Sequence, residues 1–388
     1  MRPAMDSSIL DFVVVGAGMA GASVAWQLAR DGGASVLVLE RESQPGYHST
    51  GRSAALYEEH YGPLQVQALT RASRAFYEQP PQGFVQAPIL APRGVLYVGT
   101  AAQKDLLDAA HAEALLHSPQ ARRLGPDELK ALVPCLNTAL LVDGFADDGA
   151  RDIDVHGLHQ GFLRGLRQCG GELRCSAEVR ALAQDGGVWT VDLADGSQVR
   201  ARCVVNAAGA WSDALGALAG AAPIGLVPKR RSAFTFAVPE GMDAAHWPAV
   251  ISADEGFYFK PDAGQLLGSP ANADPVAPQD VAPEELDVAT GIWRIEEVTT
   301  LQIRRPSHTW AGLRSFVADG EMAIGWDASP VPLPGFFWVA AQGGYGIQSA
   351  FGYSLLARNL LRGEPLDARL AAQGVQPERL SPARCQRG

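Results

Sequence analysis

The stretch from residue 11 to residue 40 constrains the fold more than any other part of the chain. An apolar run at 12–15 leads into the glycine-rich sequence GAGMAG at 16–21. This run has the length and β-branching of a buried parallel strand. Residues 22–30 favour a helix, and a second apolar run at 35–39 favours another buried strand. A strand, a glycine-rich turn, a helix and a second strand, in this order, predict the βαβ unit that binds dinucleotides.

Three glycines and one acid have distinct physical roles in that unit. Gly16 permits the tight turn, Gly18 lets a pyrophosphate approach the backbone, and Gly21 lets the helix pack closely on the strand. Glu40, about 20 residues past the glycines, is placed to accept hydrogen bonds from ribose hydroxyls. An acid there disfavours a 2′-phosphate, although the adjacent Arg41 weakens that exclusion slightly. The alternative, a glycine-rich turn that binds nothing, does not account for the helix, the second strand and the acid.

Length and composition indicate a two-domain protein of a reducing compartment. A chain of 388 residues is too long for one small core. It carries 42 acidic and 32 basic residues, a net charge of −10 without a basic run, which argues against a nucleic-acid partner. The five cysteines are scattered, which argues against a disulfide framework or a metal site. We find no signal peptide and no bilayer-spanning apolar run, so we expect a cytoplasmic protein and leave open a peripheral contact with the inner face of the membrane.

The segment 41–55 follows the βαβ unit and is dense in small polar residues. Its sequence HSTGRS, at 48–53, could line a cofactor with hydroxyl and backbone N–H groups. The alternative is a capped helix start, with Ser49 or Thr50 as the N-cap and 53–55 as the first turn. The two interpretations are compatible with each other.

The second half of the chain predicts two further features around the same site. A strand at 198–205 runs into NAAGAW at 206–211, whose small residues allow a second close backbone approach beneath a cofactor. Alternating segments separated by Pro- and Gly-rich turns over 224–305 predict an antiparallel sheet. A last buried strand at 335–341 leads into the glycine-rich loop QGGYGIQ, at 342–348, and then a helix.

Eight stretches, spread over nearly the whole chain, carry a family resemblance. They are GAGMAGAS, LERESQPGYHSTGRSAA, VVNAAGAWSD, PKRRSAF, FYFKPDAG, LLGSPANADP, RRPSHTWAGLRSFVADG and WVAAQGGYGIQ. Together they resemble the D-amino-acid oxidase (DAO) family of flavoproteins, and within it the bacterial D-arginine dehydrogenases. The resemblance implies FAD, a two-domain fold, and oxidation of an amine carbon next to a carboxylate.

The fold class implied is α/β, with a Rossmann-like FAD-binding domain of the glutathione-reductase type and an inserted antiparallel-sheet substrate domain. We predict the boundaries as follows: FAD-binding domain, 8–85, 150–225 and 306–370; substrate-binding domain, 86–149 and 226–305; loosely held tail, 371–388.

The resemblance also implies the FAD contacts, residue by residue. They are Ala20, Glu40, Arg41, Ser49, Thr50, Gly51, Arg52, Ser53, Ala54, Ala55, Leu56, Val179, Gly344, Tyr345, Gly346, Ile347 and Gln348. The sequence patterns add Gly16, Gly18, Gly21, Ala208, Gly209, Trp211 and Gly343. A helix N-terminus behind the last loop would stabilise the anion formed when the flavin is reduced. The chain has only one GxGxxG motif, so we expect electrons to leave to an external acceptor, a quinone, another carrier or oxygen.

Five residues carry over as a substrate clasp. Arg231 and Arg314 resemble the pair that grips an α-carboxylate, which a guanidinium can hold through two parallel hydrogen bonds. Tyr61 and Tyr258 resemble the hydroxyls that complete the clasp, and the backbone of Gly344 would accept from the substrate amine. A single arginine is more often part of a surface ion pair, but Arg314 lies in an apolar context. The run of three basic residues at 229–231 leaves the choice of arginine open, and the alignment favours Arg231.

Two departures from D-arginine dehydrogenases bear on specificity. Leu56 stands where they have a histidine near the substrate, and Val95 where they have an acid facing the guanidinium. An unpaired buried cation is costly, so we expect a side-chain pocket for neutral or apolar groups. Glu58, which replaces a small polar residue, could restore a cation site.

The predicted function is oxidative deamination of D-amino acids to 2-oxo acids and ammonia, by hydride transfer from Cα to flavin N5. We expect no metal, and no histidine as an essential base, because orientation and electrostatics suffice for this chemistry. The alternatives are oxidation of D-arginine or D-lysine, oxidation of secondary amines such as sarcosine, glycine or N-alkyl amino acids, and a flavin-binding subunit without catalysis.

Overall fold

The computed structural model describes residues 9–386, in which strands and helices alternate along most of the chain. The strands are β1 (Leu10–Val15), β2 (Val36–Leu39), β3 (Leu56–Tyr57), β4 (Leu90–Pro92), β5 (Val95–Thr100), β6 (Arg122–Leu124), β7 (Leu141–Asp147), β8 (Arg151–Ile153), β9 (Glu172–Arg174), β10 (Val179–Asp185), β11 (Val188–Leu193), β12 (Gln198–Asn206), β13 (Val227–Ala237), β14 (Ala249–Ser252), β15 (Tyr258–Asp262), β16 (Gln265–Ser269), β17 (Asp274–Pro275), β18 (His308–Phe316), β19 (Ala323–Trp326) and β20 (Phe336–Ala340). The helices are α1 (Met19–Ala29), α2 (Leu64–Glu78), α3 (Lys104–Leu115), α4 (Pro126–Leu132), α5 (Val155–Gln168), α6 (Ser212–Ala219), α7 (Glu285–Glu297), α8 (Ala350–Arg362), α9 (Ala368–Ala372), α10 (Pro377–Leu380) and α11 (Ala383–Gln386).

The predicted βαβ unit is present as β1, α1 and β2. The two strands pair in parallel, from Phe12 opposite Val36 to Val15 opposite Leu39. Every residue of α1 is buried, which its small side chains allow. A Cβ atom on Gly21 would lie 1.8 Å from the carbonyl oxygen of Gly16, so only glycine fits where the helix crosses the strand.

The first sheet has eight strands built around this unit. Its order is β10-β11-β12-β1-β2-β9, and β20 pairs with the C-terminal part of β12 and carries β19. The central pairings are parallel, whereas β10, β11 and β19 join antiparallel. Helices α1, α2, α5 and α8 pack together against one face and bury Trp26, Phe76 and Phe162 among them. The carboxyl ends of β1, β12 and β20 therefore meet at one edge, where ligands bind in open α/β sheets.

The second sheet has nine strands and is mostly antiparallel, with β5 and β14 as its parallel pair. Its order is β17-β13-β16-β15-β14-β5-β7-β6, and β18 runs antiparallel along β13. Strands β3, β8 and β4, in this order, form a third sheet. This arrangement confirms the predicted fold class, a Rossmann-like α/β region with an inserted, largely antiparallel sheet.

The division into two domains stays a prediction. Two details of the predicted domain boundaries differ from the structure. Strand β18 lies beyond the predicted boundary at 305/306 but pairs with β13 over 308–316, because its alternating pattern fits the second sheet. The tail after 370 is not loosely held as far as residue 386. Helices α9 to α11 bury Val375 and Leu380, and Gln386 donates to the carbonyl of Ala222 at 2.7 Å.

Residues 1–8 and 387–388 lie outside the described part of the chain. The prediction about a signal peptide concerns residues 1–8. Between residues 9 and 386, no helix is long and apolar enough to cross a bilayer.

Candidate active site

One cavity of about 580 Å³ joins the glycine turn to the second sheet. Gly16 and Gly18 line one part of it, and Arg231, Arg314 and Tyr258 line another. The cavity therefore brings the predicted dinucleotide-binding turn and the predicted substrate clasp into one continuous site.

The nucleotide end of the cavity is built around the carboxylate of Glu40. Its Oε2 accepts a hydrogen bond from the N–H of Ala17 at 2.8 Å, and its Oε1 accepts one from the N–H of Glu42 at 3.0 Å. The acid is thereby fixed against the glycine turn, with lone pairs left for hydroxyl donors. Beside it, the guanidinium carbon of Arg41 lies 4.0 Å from the centre of the Trp211 ring, which provides a flat surface at this end.

A buried histidine that the sequence did not reveal supports the glycine turn. His159, on α5, places Nε2 2.9 Å from the carbonyl oxygen of Ala17. Burial lowers the pKa of His159, so the neutral ring donates from Nε2 to that oxygen. No feature of the helical pattern around His159 distinguishes this residue, because the contact crosses 142 positions of sequence.

The polar segment after β2 forms a short 3₁₀ helix, from Ser49 to Arg52, against the cavity. Thr50 Oγ1 accepts from the N–H of Met19 at 2.9 Å, at the start of α1, and Ser49 Oγ donates to the carbonyl of Leu313 at 2.6 Å. The predicted N-cap role of Ser49 or Thr50 is wrong, because 53–55 is not a first helical turn. These hydroxyls instead tie the segment to α1 and β18. The Arg52 side chain is held by Asp280.

Most of the predicted FAD contacts line this cavity. They are Gly16, Gly18, Ala20, Glu40, Arg41, Ser49, Thr50, Arg52, Ser53, Ala54, Ala55, Leu56, Val179, Ala208, Gly209, Trp211, Gly343, Gly344, Gly346, Ile347 and Gln348. Three do not: Gly21 and Gly51 pack against backbone carbonyls, and the Tyr345 side chain lines a neighbouring cavity. These residues fit a dinucleotide. The glycine turn leaves room for a pyrophosphate beside the backbone, and the fixed carboxylate of Glu40 can accept hydrogen bonds from ribose hydroxyls.

The glycine-rich loop before α8 forms consecutive turns over 343–349, and the helix predicted to follow it begins at Ala350. A Cβ atom on Gly344 would lie 1.7 Å from Arg314 Nη2. The absent side chain therefore makes room for the guanidinium. Gln348 accepts from the N–H of Glu58 at 3.2 Å and donates to the carbonyl of Tyr61 at 3.4 Å, which fixes the loop to the turn after β3.

Strand register brings the two arginines together. On the antiparallel pair β13 and β18, Arg231 is opposite Gly312, and Arg314 is opposite Lys229. Arg231 and Arg314 are therefore diagonal neighbours on one face, at a separation of roughly 7–8 Å between such positions. Strand alternation places Arg230 on the other face, where Asp287, Glu284 and Asp274 surround it. This register assigns Arg231, rather than Arg230, to the cavity.

Neither arginine of the cavity has an acid within ion-pair distance among the described residues. Arg231 Nε donates to the carbonyl of Asn272 at 2.7 Å, and Arg314 Nη2 donates to Tyr61 Oη at 2.9 Å. Burial, followed by the neighbouring charge of Arg314, lowers the pKa of Arg231. Two partly buried guanidinium groups beside each other, held by neutral acceptors, form a binding site for an anion.

Three predicted substrate contacts, Tyr61, Tyr258 and Gly344, line the cavity with the arginines. Lys260, which the sequence analysis missed, also lines it, and alternation from Tyr258 could have identified it. Its Nζ lies 2.7 Å from Asp152 Oδ1, so its charge is neutralised locally, unlike those of the arginines.

The predicted side-chain pocket is only partly present. Leu56 and Glu58 line the cavity, but Val95 does not. Val95 is fully buried in a cluster with Tyr97, Phe145 and Ala249, because the inward face of β5 at this position points into the core. The residue of β5 that reaches the cavity is Tyr97, two positions further along the strand.

Comparison with known proteins agrees with this geometry. The family model described as FAD dependent oxidoreductase (DAO) matches residues 11–360. Human mitochondrial dimethylglycine dehydrogenase is 26% identical over 91% of this chain, which spans 42% of that protein. Glycine oxidase from Geobacillus kaustophilus has a TM-score of 0.82 at 21% identity, covering 97% of this chain and 98% of its own. L-proline dehydrogenase from P. horikoshii has a TM-score of 0.81 at 20% identity, covering 98% and 99%. The match over residues 11–360 and the cavity at the glycine turn lead to one conclusion: the chain belongs to the DAO family of FAD-dependent oxidoreductases, and its cofactor is FAD.

Proposed function

We propose that this protein oxidises D-amino acids to 2-oxo acids and ammonia, with a preference for neutral or apolar side chains. The observation that carries the proposal is the pair Arg231 and Arg314. Both line the cavity that the glycine turn also lines, and no acid among the described residues lies within ion-pair distance of either. A substrate that brings its own carboxylate satisfies both groups.

The clasp orients the substrate through its carboxylate. A carboxylate offers two oxygens to a guanidinium fork, and the second guanidinium adds charge on the same face of the sheet. Tyr61 already hydrogen-bonds Arg314 and fixes the direction of that fork. The backbone of Gly344 lies directly against Arg314, so we assign its carbonyl as the acceptor for the substrate amine beside the clasp.

In this proposal, binding of the carboxylate at the clasp orients the Cα–H bond of the substrate. FAD, when bound, supplies the acceptor for the Cα hydride, and water then converts the imino acid to the 2-oxo acid and ammonia. The clasp holds the carboxylate, and no side chain of the described residues is needed to remove a Cα proton, because the Cα hydrogen leaves as a hydride. Such catalysis depends on orientation and electrostatics.

The walls beyond the clasp support a preference for neutral or apolar side chains. Leu56, Ala249, Ile251 and Phe257 line that part of the cavity. The buried acid there, Glu58, already accepts from Tyr97 Oη at 2.6 Å. Only its other oxygen is without a hydrogen-bond partner among the described residues, so a guanidinium of the substrate would have to share Oε1 with Tyr97 to form a bidentate pair.

A second candidate function is oxidation of N-alkyl amino acids. Dimethylglycine dehydrogenase, to which the chain is 26% identical, is named for such a substrate. The carboxylate clasp would serve an N-methyl amino acid equally well, since its acid end is the same. We further propose an external electron acceptor, a quinone, another carrier or oxygen, and a cytoplasmic location.

The test is anaerobic reduction of the flavin by a panel of substrates. It comprises D- and L-forms of leucine, methionine, phenylalanine, arginine and lysine, with sarcosine, dimethylglycine and glycine. We expect fastest reduction by apolar D-amino acids. Faster reduction by D-arginine would refute the apolar preference, faster reduction by the N-methyl compounds would establish the second candidate, and no reduction by any would refute both. Arg314→Ala should retain FAD but lose most of the response.

A further inference from the structure

A chain of buried titratable side chains leads away from the substrate end of the cavity. Glu58 is 2% exposed and lines the cavity. Its Oε1 accepts from Tyr97 Oη at 2.6 Å and lies 3.3 Å from His60 Nδ1. On the far side of the imidazole, Nε2 lies 3.3 Å from Asp147 Oδ2. The ring therefore stands between two carboxylates, with one nitrogen facing each.

The far end of this chain is anchored, and its histidine lines a second cavity. Asp147 Oδ2 accepts from Ser118 Oγ at 2.7 Å, and its Oδ1 accepts from the N–H of Gly149 at 2.7 Å. A second cavity of about 300 Å³ is lined by His60, Tyr61, Tyr97, Glu113 and Glu255 among others. His60 thus lies between a carboxylate of the substrate cavity and the second cavity, and Tyr61, Tyr97 and Glu255 line both cavities.

The turn that carries Glu58 is part of the substrate site. The N–H of Tyr61 bonds the carbonyl of Glu58 at 3.4 Å, and the Tyr61 hydroxyl bonds Arg314. Gln348 joins the same turn to the loop of Gly344. Glu58 Oε2 has no hydrogen-bond partner among the described residues, so one oxygen of a nearly fully buried acid is left for a ligand.

We propose that Glu58, His60 and Asp147 form a proton path, in which Glu58 accepts the proton that the substrate ammonium must lose before oxidation. This inference rests on the proposed function. The substrate N–H bond breaks as an O–H bond forms on Glu58, which leaves a neutral amine. His60 then takes that proton at Nδ1 as it releases one from Nε2 towards Asp147 and the second cavity. No oxidant or reductant takes part.

The electrostatic setting raises the pKa of both Glu58 and His60 above their ordinary values. Burial raises the pKa of Glu58, partly offset by His60 and by the Tyr97 hydrogen bond. Burial alone would lower the pKa of His60, but the facing carboxylates of Glu58 and Asp147 raise it. The other titratable or charged groups that face the path are Tyr61, Tyr97, Glu113, Glu255, Arg231 and Arg314.

The experiment measures the rate of anaerobic flavin reduction at saturating substrate, from about pH 6 to about pH 10. In wild-type enzyme the acid limb reports Glu58, whereas in Glu58→Gln the bound ammonium must lose its proton to water. We expect the limb of Glu58→Gln to move up by at least about one pH unit, with rates that approach wild type at the alkaline end. Asp147→Asn should also shift the limb, because Asp147 raises the pKa of both Glu58 and His60.

Glu59→Gln is the matched control, because its carboxylate bonds Tyr57 and Arg74 rather than facing the cavity. It should keep the wild-type pH profile. A Glu58→Gln rate lowered by one factor at every pH would assign Glu58 a structural role and overturn the proposal. An unchanged limb in Asp147→Asn would overturn the path beyond His60.

A second variant and the wild-type measurement separate the possible outcomes. If Glu58→Gln does not fold, Tyr97→Phe removes one hydrogen bond to the carboxylate, raises the pKa of Glu58, and should shift the limb towards higher pH. An unshifted limb there would refute the role of Glu58. Failure of the proposed function looks different, because the wild-type flavin would then not be reduced at any pH.

Discussion

Gly344→Ala tests the contact on which the carboxylate clasp depends. The added Cβ would lie 1.7 Å from Arg314 Nη2 and 2.3 Å from both Cζ and Nε. The backbone of Gly344 is not left-handed, so the substitution adds a steric clash without backbone strain. A normal contact is about 3.5 Å, so the guanidinium must retreat by about 1.8 Å, which is enough to break its hydrogen bond to Tyr61.

The expected loss follows from what the displaced group contributes. A charge-assisted hydrogen bond is worth about 1.5 to 3 kcal/mol, which corresponds to roughly a 10- to 150-fold fall in kcat/KM. The loss should appear mainly in KM or in the Kd for the amino acid during anaerobic flavin reduction. Flavin absorbance should show unchanged FAD content, which separates a damaged clasp from a lost cofactor.

A double-mutant cycle with Arg314→Ala supplies the control. If Gly344→Ala acts by displacing Arg314, the double variant should be no worse than Arg314→Ala alone, since interacting sites are not additive. Independent, additive losses would refute the reasoning, as would near-normal kinetics of Gly344→Ala.

Three further predictions concern stability. Gly21→Ala should abolish FAD binding and lower the melting temperature, because its Cβ would lie 1.8 Å from the carbonyl of Gly16 and backbone cannot yield there; a yellow, stable variant would contradict this. Val95→Glu should lower the free energy of unfolding in urea by more than about 3 kcal/mol, since it buries an unpaired acid in the core, and faster oxidation of D-arginine by a stable variant would contradict the core position. Asp367 caps α9 and its pKa is lowered to about 2, first by the Arg369 hydrogen bond; Asp367→Ala should therefore lower stability by about 1 kcal/mol at pH 7. Because the folded-state pKa lies below the ordinary value of 3.8, this difference should disappear as the pH falls through about 2, and a difference that is constant with pH would refute the assignment.

Local patterns predicted much of the nucleotide end, because its physics is contained in a short segment. The turn at 16–21, the strand before it and Glu40 lie within one βαβ unit, and the structure places them as expected. Resemblance assigned the arginines and tyrosines to one site, and in the structure they line one cavity. The choice between Arg230 and Arg231 needed strand register, since only the pairing of β13 with β18 decides which face each occupies.

Long-range contacts account for what the sequence did not predict. Val95 was expected in the pocket, but it lies in a buried cluster with Phe145 and Ala249, whereas the larger side chain of Tyr97, two positions along the same face of β5, also lines the cavity. His159 reaches the glycine turn from a helix far along the chain. The tail up to residue 386 is ordered because apolar side chains such as Leu380 pack against the first sheet.

The sequence by itself determined the βαβ unit, its acid and the family, because glycine spacing and apolar runs act over a few residues. Only the tertiary structure decided which charges are left without partners. Arg230 is neutralised by three acids and Lys260 by one, whereas among residues 9–386 no acid lies within ion-pair distance of Arg231 or Arg314. The physical reason is that the free energy of a charge depends on what lies within a few ångströms of it, and in this chain those neighbours come from strands far apart in sequence.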